Sequence, residues 1–295
     1  MMDGKGVELN KMEDQLCLVT GATAGIGKAV ADALAGLGAK LLIHGRDNSK
    51  LGETETWLID RHPGLVVRSF CADFEDLSEV HEMAYSIAES DMQIDVLINN
   101  AGSFFNSRQG TQYGVEKTFL VNHLAPFMLT TELLGQGVLN QNARIVIVSS
   151  DGHKMGSINF DDLEYRKGYF GMKGYARSKL ANLLFTYELD RRLQDSNISV
   201  NAVHPGHTVT DIWRTNFGVI GPALKWFMGL FGRTLEEGAD TVVYLASDEE
   251  LEGLSGKYFA DRESIESSSA SYDKEVAHRL WQVSEAIVQQ YRARN

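Results

Sequence analysis

Short apolar, β-branched runs alternate along the chain with longer segments of helical periodicity. This alternation is typical of parallel strands joined by helical crossovers, and the near-continuous hydrophobicity of the runs suits a sheet that is covered on both faces. Seven strands are predicted, at Leu16–Thr20, Lys40–His44, Leu65–Cys71, Asp95–Asn99, Arg144–Ser149, Ser199–His204 and Gly256–Ala260. Helices are predicted between and after them, at Ile26–Gly36, Ser49–Arg61, Leu77–Ser90, Gly114–Leu134, Tyr175–Gln194, Leu235–Ser247 and Tyr272–Tyr291.

The pattern predicts a single α/β domain, a Rossmann-type, doubly wound, parallel seven-stranded sheet with helices on both faces. A length of 295 residues would also allow two domains, but no linker, repeat or low-complexity segment divides the chain. Residues 1–15 are interpreted as an N-terminal extension, residues 16–295 as the domain and residues 272–291 as its closing helix.

The charge balance and the cysteines narrow the expected partners and location. A net charge of −12 and a pI near 5.1 would repel a phosphate backbone, so nucleic acid is not expected as a partner. Cys17 and Cys71 lie in apolar runs without metal-ligand spacing, which predicts no metal site and a reducing, cytoplasmic location. The first fifteen residues lack the apolar core of a signal peptide, and the apolar stretch at residues 217–231 is too short to span a bilayer of ~30 Å. No transmembrane span is predicted.

A glycine-rich turn follows the first predicted strand and leads into the first predicted helix. It reads TGATAGIG at residues 20–27. Glycine lacks a Cβ, so the backbone here can approach a pyrophosphate, whose charge is favoured by the free amides of a helix N-terminus. Open α/β sheets bind ligands at this carboxyl edge. We therefore expect a dinucleotide to contact Gly21, Thr23, Ala24, Gly25, Ile26 and Gly27.

The end of the second predicted strand bears on the choice between NAD(H) and NADP(H). An acidic residue commonly binds the adenosine ribose at this place, but here the corner reads His44-Gly45-Arg46-Asp47. Arg46 can pair with a 2′-phosphate, and Gly45 replaces an acid that would repel one, so NADP(H) is preferred. NAD(H) stays possible, because Arg46 could be a solvated surface charge. Asp47 could bind the ribose or, like Asn48, cap the next helix.

Three Tyr-x-x-x-Lys pairs occur, so this spacing alone does not select a catalytic pair. Tyr175 and Lys179 open a strongly helical run, in which a separation of four residues places them on one face. An ammonium held beside the phenol would lower its pKa from about 10 toward neutrality. The pair at positions 169 and 173 is flanked by glycines, which disfavour a helix. The pair at positions 113 and 117 has no serine-bearing strand end before it.

Taken in order along the chain, the motifs resemble those of the short-chain dehydrogenase/reductase family. They are TGATAGIG at 20–27, Asp73, NNAG at 99–102, VNHL at 121–124, VSS at 148–150, YARSK at 175–179 and HPG at 204–206. The match covers roughly residues 16–260, and the stretches VNHLAPF, SKLANLLFTYEL and GKYFADRES look most like the retinol-dehydrogenase-like branch. The resemblance implies an oxidoreductase that interconverts an alcohol and its aldehyde or ketone with a nicotinamide cofactor.

The resemblance also implies roles for individual residues. Tyr175 would be the general acid/base, and Lys179 would lower its pKa and hold the nicotinamide ribose. Ser150 would orient the substrate oxygen, with Ser149 a close rival by position. Asn122 would hold a water that passes protons, or it could simply be a buried polar group bonded to backbone. Further cofactor contacts are implied for Asp73, Asn99, Ala101, Gly102, Pro205, Gly206, Thr208 and Thr210.

A substrate lid is implied at about residues 207–234. Its many apolar side chains suggest a small hydrophobic alcohol or carbonyl substrate, although core packing, a subunit contact or seating on a membrane surface are alternatives. The interval between Ser150 and Tyr175 could contour the entrance or be a surface loop. Members of the family are usually dimers or tetramers, so a homodimer or homotetramer is expected. The alternative function is that of a catalytically silent NADP(H)-binding sensor or scaffold protein.

Overall fold

The apolar runs of the sequence pair side by side in one sheet. The computed structural model describes residues 11–206 and 234–292. The strands are β1 (Leu16–Val19), β2 (Lys40–Gly45), β3 (Val67–Cys71), β4 (Ile94–Asn99), β5 (Leu139–Val148), β6 (Ser199–Val203), β7 (Tyr258–Ala260) and β8 (Glu263–Ile265). Their order across the sheet is β3-β2-β1-β4-β5-β6-β7-β8. The first seven run parallel, which confirms the Rossmann-type α/β prediction.

The prediction of seven strands was wrong by one, because the described residues include an eighth strand at the sheet edge. The residues of β8 are all exposed, so no apolar run marks them in the sequence. A two-residue turn at Asp261 and Arg262, with φ values of 54° and 61°, folds them back antiparallel to β7. Turns with two positive φ angles match the twist of a hairpin. This strand therefore follows from local backbone geometry and not from the hydrophobic pattern.

Helices cover both faces of the sheet, as predicted. Apolar side chains of α1 (Gly25–Gly36), α2 (Asn48–Arg61) and α7 (Leu235–Ser247) pack in the core on one face. The core on the other face includes side chains of α3 (Leu77–Ala88), α4 (Lys117–Phe119), α5 (Ala125–Gly135), α6 (Gly171–Arg192) and α8 (Lys274–Arg292). A π-helical turn at Leu120–Leu124 joins α4 to α5. Most of the implied lid, residues 207–233, lies outside the described residues.

The start of α6 differs from the prediction. The helix begins at Gly171, four residues before Tyr175, so it includes Lys173 but not Tyr169. The expectation that the flanking glycines disfavour a helix was therefore wrong for Gly171 and Gly174. A Cβ on Gly171 would lie 2.7 Å from the carbonyl oxygen of Phe105, and a Cβ on Gly174 would lie 3.1 Å from the ring of Tyr169. The two glycines therefore let the helix approach the neighbouring loop closely. This packing outweighs their low helix propensity.

His123, in the π-helical turn, is part of the core on the α6 side of the sheet. It is 1% exposed, and the ring centroids of Phe119, Phe127 and Phe185 lie 4.9 to 6.1 Å from its own. Its Nε2 is 3.0 Å from the hydroxyl of Ser284 on α8. Burial lowers the pKa of His123 to about 3. The imidazole is therefore neutral at physiological pH.

We expect acid to destabilise the fold in part through His123. The unfolded chain binds this proton near pH 6.5 and the native chain near pH 3, so between these values lower pH favours unfolding, while above pH 6.5 both states are neutral. Between about pH 7 and pH 5 the loss is about 2 kcal/mol. Urea unfolding of the wild type and of His123→Gln at both values measures it, and the variant should lose less stability than the wild type. Equal losses would contradict this assignment.

Candidate active site

The glycine-rich turn after β1 has the backbone shape that the sequence predicts. Gly21 and Gly25 adopt φ values of 67° and 56°, in the left-handed region that favours glycine. Gly27 lies so close to the preceding loop that a Cβ would come 2.2 Å from the carbonyl oxygen of Gly21. Any larger residue at position 27 would therefore displace the start of α1 from the turn.

Helix α1 presents its N-terminus to this turn without a competing acidic group. Its N-cap residue, Ala24, makes no side-chain capping hydrogen bond, and the first helical turn contains no acidic residue. The positive end of the helix dipole can therefore favour an anion. Together with the glycine backbone, this arrangement fits the pyrophosphate of a dinucleotide. Thr23 and Ile26 belong to the same turn.

Thr20 and Asn100, which the sequence analysis did not select, tie the turn to the end of β4. The Thr20 hydroxyl donates to the carbonyl of Ile98 at 3.2 Å and accepts from the backbone amides of Asn100 and Ala101 at 2.9 and 3.0 Å. The Asn100 amide donates to the carbonyl of Thr20 at 2.8 Å. These bonds join residues about eighty positions apart, so no local sequence signal marks them. They bring the turn and the NNAG loop together.

His44, at the end of β2, holds the turn from the other side. Its Nδ1 accepts from the backbone amide of Gly21 at 3.2 Å, and its Nε2 donates to the carbonyl of Ala72 at 2.9 Å. The amide and the carbonyl have fixed roles, so they identify the tautomer. The ring stacks on Phe74 at 4.3 Å, and burial lowers the pKa of His44 to about 4. A neutral imidazole thus joins three strand ends at neutral pH.

Two charged residues follow β2, and only one of them is engaged by the backbone. Asp47 accepts from the backbone amides of Ser49 and Lys50 at 2.9 and 3.2 Å, so it caps α2. The Arg46 side chain is 65% exposed, with its Nη1 3.7 Å from Glu75 Oε1. Arg46 is therefore accessible to a bound group. The capping alternative for Asp47 is the one found in the structure.

The remaining implied cofactor residues lie in different surroundings. Asp73 caps its own turn by accepting from the amide of Glu75 at 3.0 Å. Asn99 is 3% exposed, and its amide donates to Thr130 at 2.8 Å, so its side chain is committed to the core. Pro205 and Gly206 follow β6 at the same sheet edge as the turn. Thr208 and Thr210 lie outside the described residues.

Ser150 and Tyr175 are brought into direct contact. The two hydroxyls hydrogen-bond, and the Ser150 hydroxyl also accepts from the amide of Gly152 at 3.2 Å. Ser149 instead donates to the carbonyl of Lys179 at 2.9 Å and is 2% exposed. Of the two serines that the sequence left open, Ser150 is therefore the one beside Tyr175.

Lys179 lies on the same face of α6 as Tyr175, with its Nζ 5.7 Å from the centroid of the phenol ring. Its ammonium donates to the carbonyl of Val148 at 2.9 Å, and burial lowers the pKa of Lys179 to about 8. Burial raises the pKa of the Tyr175 phenol, and the Ser150 hydrogen bond opposes this rise. The fall in the Tyr175 pKa that the sequence suggested is therefore not found in this arrangement. Desolvation dominates here.

Asn122 lies in the π-helical turn. Such turns are rare in proteins, and those that occur are often found at functional sites. Asn122 Oδ1 accepts from the amide of Ser103 at 2.7 Å, and its Nδ2 donates to the carbonyl of Ser103 and the hydroxyl of Ser178, both at 2.9 Å. A Cβ on Gly102 would lie 3.3 Å from Asn122 Oδ1 and 3.7 Å from Lys179 Nζ. Asn122 is thus bonded to backbone, and the same glycine adjoins it and Lys179.

The other two Tyr-x-x-x-Lys pairs are committed elsewhere. Tyr113 donates to Asp76 at 2.9 Å, and Lys117 pairs with Glu75 at 2.5 Å. Tyr169 donates to the carbonyl of Phe105 at 2.8 Å. The hydroxyls of both tyrosines are thus engaged away from Ser150, whereas Tyr175 hydrogen-bonds it.

The comparison with family models agrees with this geometry. Residues 15–218 match the model described as short chain dehydrogenase. The chain belongs to the short-chain dehydrogenase family. It is an oxidoreductase of the retinol-dehydrogenase-like branch of this family. Enzymes of the family interconvert alcohols and carbonyl compounds with a nicotinamide cofactor.

Relatives named as dehydrogenases match over most of the chain. Retinol dehydrogenase 14 from Homo sapiens is 39% identical, with 96% of this chain and 89% of the relative covered. Retinol dehydrogenase 13 from Homo sapiens is 38% identical, with 92% and 83% covered. Polyprenol dehydrogenase from Homo sapiens is 33% identical, with 91% and 83% covered.

Solved structures share the fold. An uncharacterised protein from Mycobacterium paratuberculosis has a TM-score of 0.75 and 32% identity, and 96% of each chain is covered. A short-chain dehydrogenase from Burkholderia cenocepacia, solved in complex with NADP, has a TM-score of 0.67 and 27% identity, with 85% of this chain and 97% of the other covered.

The structure describes residues 11–206 and 234–292. Within these ranges no group of three or more His, Cys, Asp and Glu side chains could hold a metal ion. No helix of the same part of the chain is both long enough and apolar enough to cross a membrane.

Removing the Thr20 hydroxyl should weaken cofactor binding. Thr20→Val removes the acceptor of the Ala101 amide and one of the two acceptors of the Asn100 amide, at a fully buried position, which we expect to raise the Kd for NADPH about tenfold. Thr20→Ser keeps the hydroxyl and is the matched control. Isothermal titration calorimetry of both variants measures the effect. Equal Kd values for the two would show that the cross-link between the turn and the NNAG loop does not matter for binding.

Proposed function

We propose that the chain is an NADP(H)-dependent oxidoreductase that interconverts a hydrophobic alcohol and its aldehyde or ketone, with Tyr175 as the general acid/base. The observation that supports this most directly is the hydrogen bond between Ser150 and Tyr175, on the helix that also carries Lys179. A catalytically silent NADP(H)-binding protein would have no need for this contact. We therefore favour the enzyme.

The two hydroxyls divide the work at the substrate oxygen. Since the Ser150 side chain hydrogen-bonds Tyr175, one substrate oxygen can contact both. Ser150 orients that oxygen, and Tyr175 donates a proton to it during reduction or removes one during oxidation. When bound, the nicotinamide ring supplies or accepts the hydride at the substrate carbon.

Lys179 and Asn122 belong to the proton path in this proposal. A Lys179 pKa of about 8 lies close enough to neutrality for the side chain to exchange a proton. The same glycine, Gly102, adjoins Lys179 and Asn122, and Asn122 is held rigidly by Ser103 and Ser178. Asn122 thus helps to position a water that connects Lys179 with solvent.

NADP(H) is the proposed cofactor because Arg46 is an exposed cation at the corner where a 2′-phosphate would lie. Gly45 cannot be replaced without displacement, since a Cβ would come 2.6 Å from Thr23 Cγ2. Asp47, the acid that could bind a ribose, is engaged as the cap of α2. The NADP complex of the Burkholderia cenocepacia relative supports the same choice.

The substrate class is proposed from two sources. Relatives at 33 to 39% identity are named retinol and polyprenol dehydrogenases, and residues 207–234 of this chain are rich in apolar side chains. Both favour a hydrophobic alcohol or carbonyl. A cytoplasmic location and a homodimer or homotetramer stay predictions from the sequence.

Replacing Tyr175 by Phe should abolish turnover while the cofactor still binds. The substitution removes only the hydroxyl that transfers the proton, so we expect kcat to fall by about a thousandfold. The measurement is the change of pyridine-nucleotide absorbance with a panel of hydrophobic aldehydes and ketones. Tyr113→Phe, which removes the hydroxyl of another Tyr-x-x-x-Lys pair, is the control and should retain turnover. No turnover by the wild type across the panel, together with tight cofactor binding, would favour the sensor instead.

Replacing Arg46 by Ala should weaken NADPH selectively. We expect the Kd for NADPH to rise about tenfold and that for NADH to change less than about twofold, because the lost pairing is with the 2′-phosphate alone. Lys50→Ala, on the exposed surface of α2, is the control for a general loss of positive charge. Titrations of the wild type and of both variants with NADPH and with NADH measure these Kd values. Equal affinities of the wild type for NADPH and NADH would contradict the cofactor preference.

A further inference from the structure

His153 is a buried histidine that the proposed chemistry does not use. It lies in the short 3-10 turn Asp151–Met155, directly after Ser150, and is fully buried. Its ring packs edge-on against Tyr258 of β7 at 5.2 Å. A polar ring in such a place needs partners for both nitrogens, and the structure provides both.

The two partners of the ring connect Ser150 with a distant part of the chain. His153 Nδ1 lies 2.7 Å from the carbonyl oxygen of Ser150. The backbone amide of Ser268 donates to His153 Nε2 at 3.0 Å. An amide can only donate and a carbonyl can only accept, so the ring must be neutral with its hydrogen on Nδ1. The same carbonyl also accepts from the His153 backbone amide at 3.1 Å.

The serine turn, residues 267–271, holds Ser268 in place. The Ser268 carbonyl accepts from the amide and the hydroxyl of Ser271 at 3.0 and 2.6 Å. The hydroxyl of Ser267 lies 2.6 Å from that of Ser271 and 2.7 Å from that of Tyr187. Tyr187 stacks on Tyr272 with ring centroids 5.1 Å apart. What reads in the sequence as a simple serine-rich loop is thus a hydrogen-bonded unit.

These contacts close a ring around the site. Tyr187 lies on α6, the helix that carries Tyr175, and Tyr175 hydrogen-bonds Ser150. The path from Ser150 through His153, the serine turn and α6 therefore returns to Ser150. The contacts thus link the Ser150 backbone to the helix that carries Tyr175, in addition to the direct bond between the two side chains. A loose Ser150 loop would leave the distance between the two hydroxyls less constrained.

We propose that His153 is a positioning residue, which with the serine turn holds Ser150 at the distance from Tyr175 that the reaction requires. It does not touch the reacting atoms. The inference rests on the proposed function, because it assigns a role to the position of Ser150. A misplacement of reacting groups by about 1 Å can cost about a hundredfold in rate, so loss of the link should appear in kcat.

Two substitutions at position 153 separate the two halves of the link. His153→Asn can still donate to the Ser150 carbonyl but does not reach Ser268, and His153→Gln reaches Ser268 but gives up the Nδ1 donor. We expect each to lower kcat by about tenfold to a hundredfold, with the Kd for NADPH changed less than about twofold. A structural role alone would instead lower the amount of folded protein that binds cofactor. Turnover is therefore expressed per bound cofactor.

Ser268 offers a second test that leaves the histidine unchanged. Its φ of −66° is the value that proline fixes, so Ser268→Pro leaves this backbone angle unchanged. The substitution removes the donor amide and places a ring carbon where the amide hydrogen meets His153 Nε2, so it breaks the link on both counts. The Ser268 hydroxyl has no hydrogen-bond partner among the described residues, and Ser268→Ala keeps the amide. We expect kcat to fall about tenfold or more in the proline variant and to change less than about twofold in the alanine variant.

The possible outcomes separate this inference from the proposed function. If Tyr175→Phe and Ser150→Ala abolish turnover while the His153 and Ser268→Pro variants keep kcat within about twofold of the wild type, the inference is wrong and the function stands. If the wild type has no turnover, both fail. Nitrogen NMR of the histidine side chains, assigned by comparison with His153→Gln, should show the Nδ1–H form of His153. The Nε2–H form would overturn the inference at any level of activity.

Discussion

The parallel order of the central strands is the constraint on which the site depends. β1, β4, β5 and β6 are neighbours in the sheet and run in one direction, so their carboxyl ends meet at one edge. The glycine turn, the NNAG loop, Ser150 and the Pro205-Gly206 pair each follow one of these ends. The order and direction of the strands therefore bring segments that are far apart in the sequence to the same edge of the sheet. Hydrogen bonds that involve Thr20, Asn100 and His44 then hold the glycine turn against the NNAG loop and the end of β2.

A buried ion pair joins the two helical segments behind this edge. Glu116 is fully buried, caps α4 and lies 3.6 Å from the guanidinium of Arg177 on α6. Arg177 also donates to the carbonyls of Asp162 and Leu163. An unpaired buried charge would be costly, so removing either partner should disturb both segments. Asn122 follows α4 and Tyr175 precedes Arg177 by two residues, so the pair joins the segments that carry these two residues.

The sequence predicts the parts of the molecule that repeat a local pattern, and it misses those that depend on distant contacts. The seven apolar strands and the glycine turn follow from hydrophobic runs and from residues without a Cβ. β8 has no apolar run, and the early start of α6 depends on the close approach of Gly171 to Phe105. Nothing in the sequence distinguishes His44 from other strand residues, because its role depends on the contacts of its two nitrogens with Gly21 and Ala72. The choice between Ser149 and Ser150 also required the fold, since it depends on which hydroxyl meets the Lys179 carbonyl and which meets the Tyr175 side chain.

The protonation of the site follows from burial more than from charge. Burial raises the pKa of Tyr175 and lowers that of Lys179 to about 8, because it disfavours the charged form of each group. The Tyr175 phenol is therefore protonated at neutral pH, which is the form that the proposed reduction uses. The proposed oxidation uses the phenolate, which becomes more abundant as the pH rises. The hydrogen bond from Ser150 acts against the effect of burial on Tyr175. The distance between these two hydroxyls therefore affects both where the substrate oxygen lies and how readily Tyr175 gives up its proton.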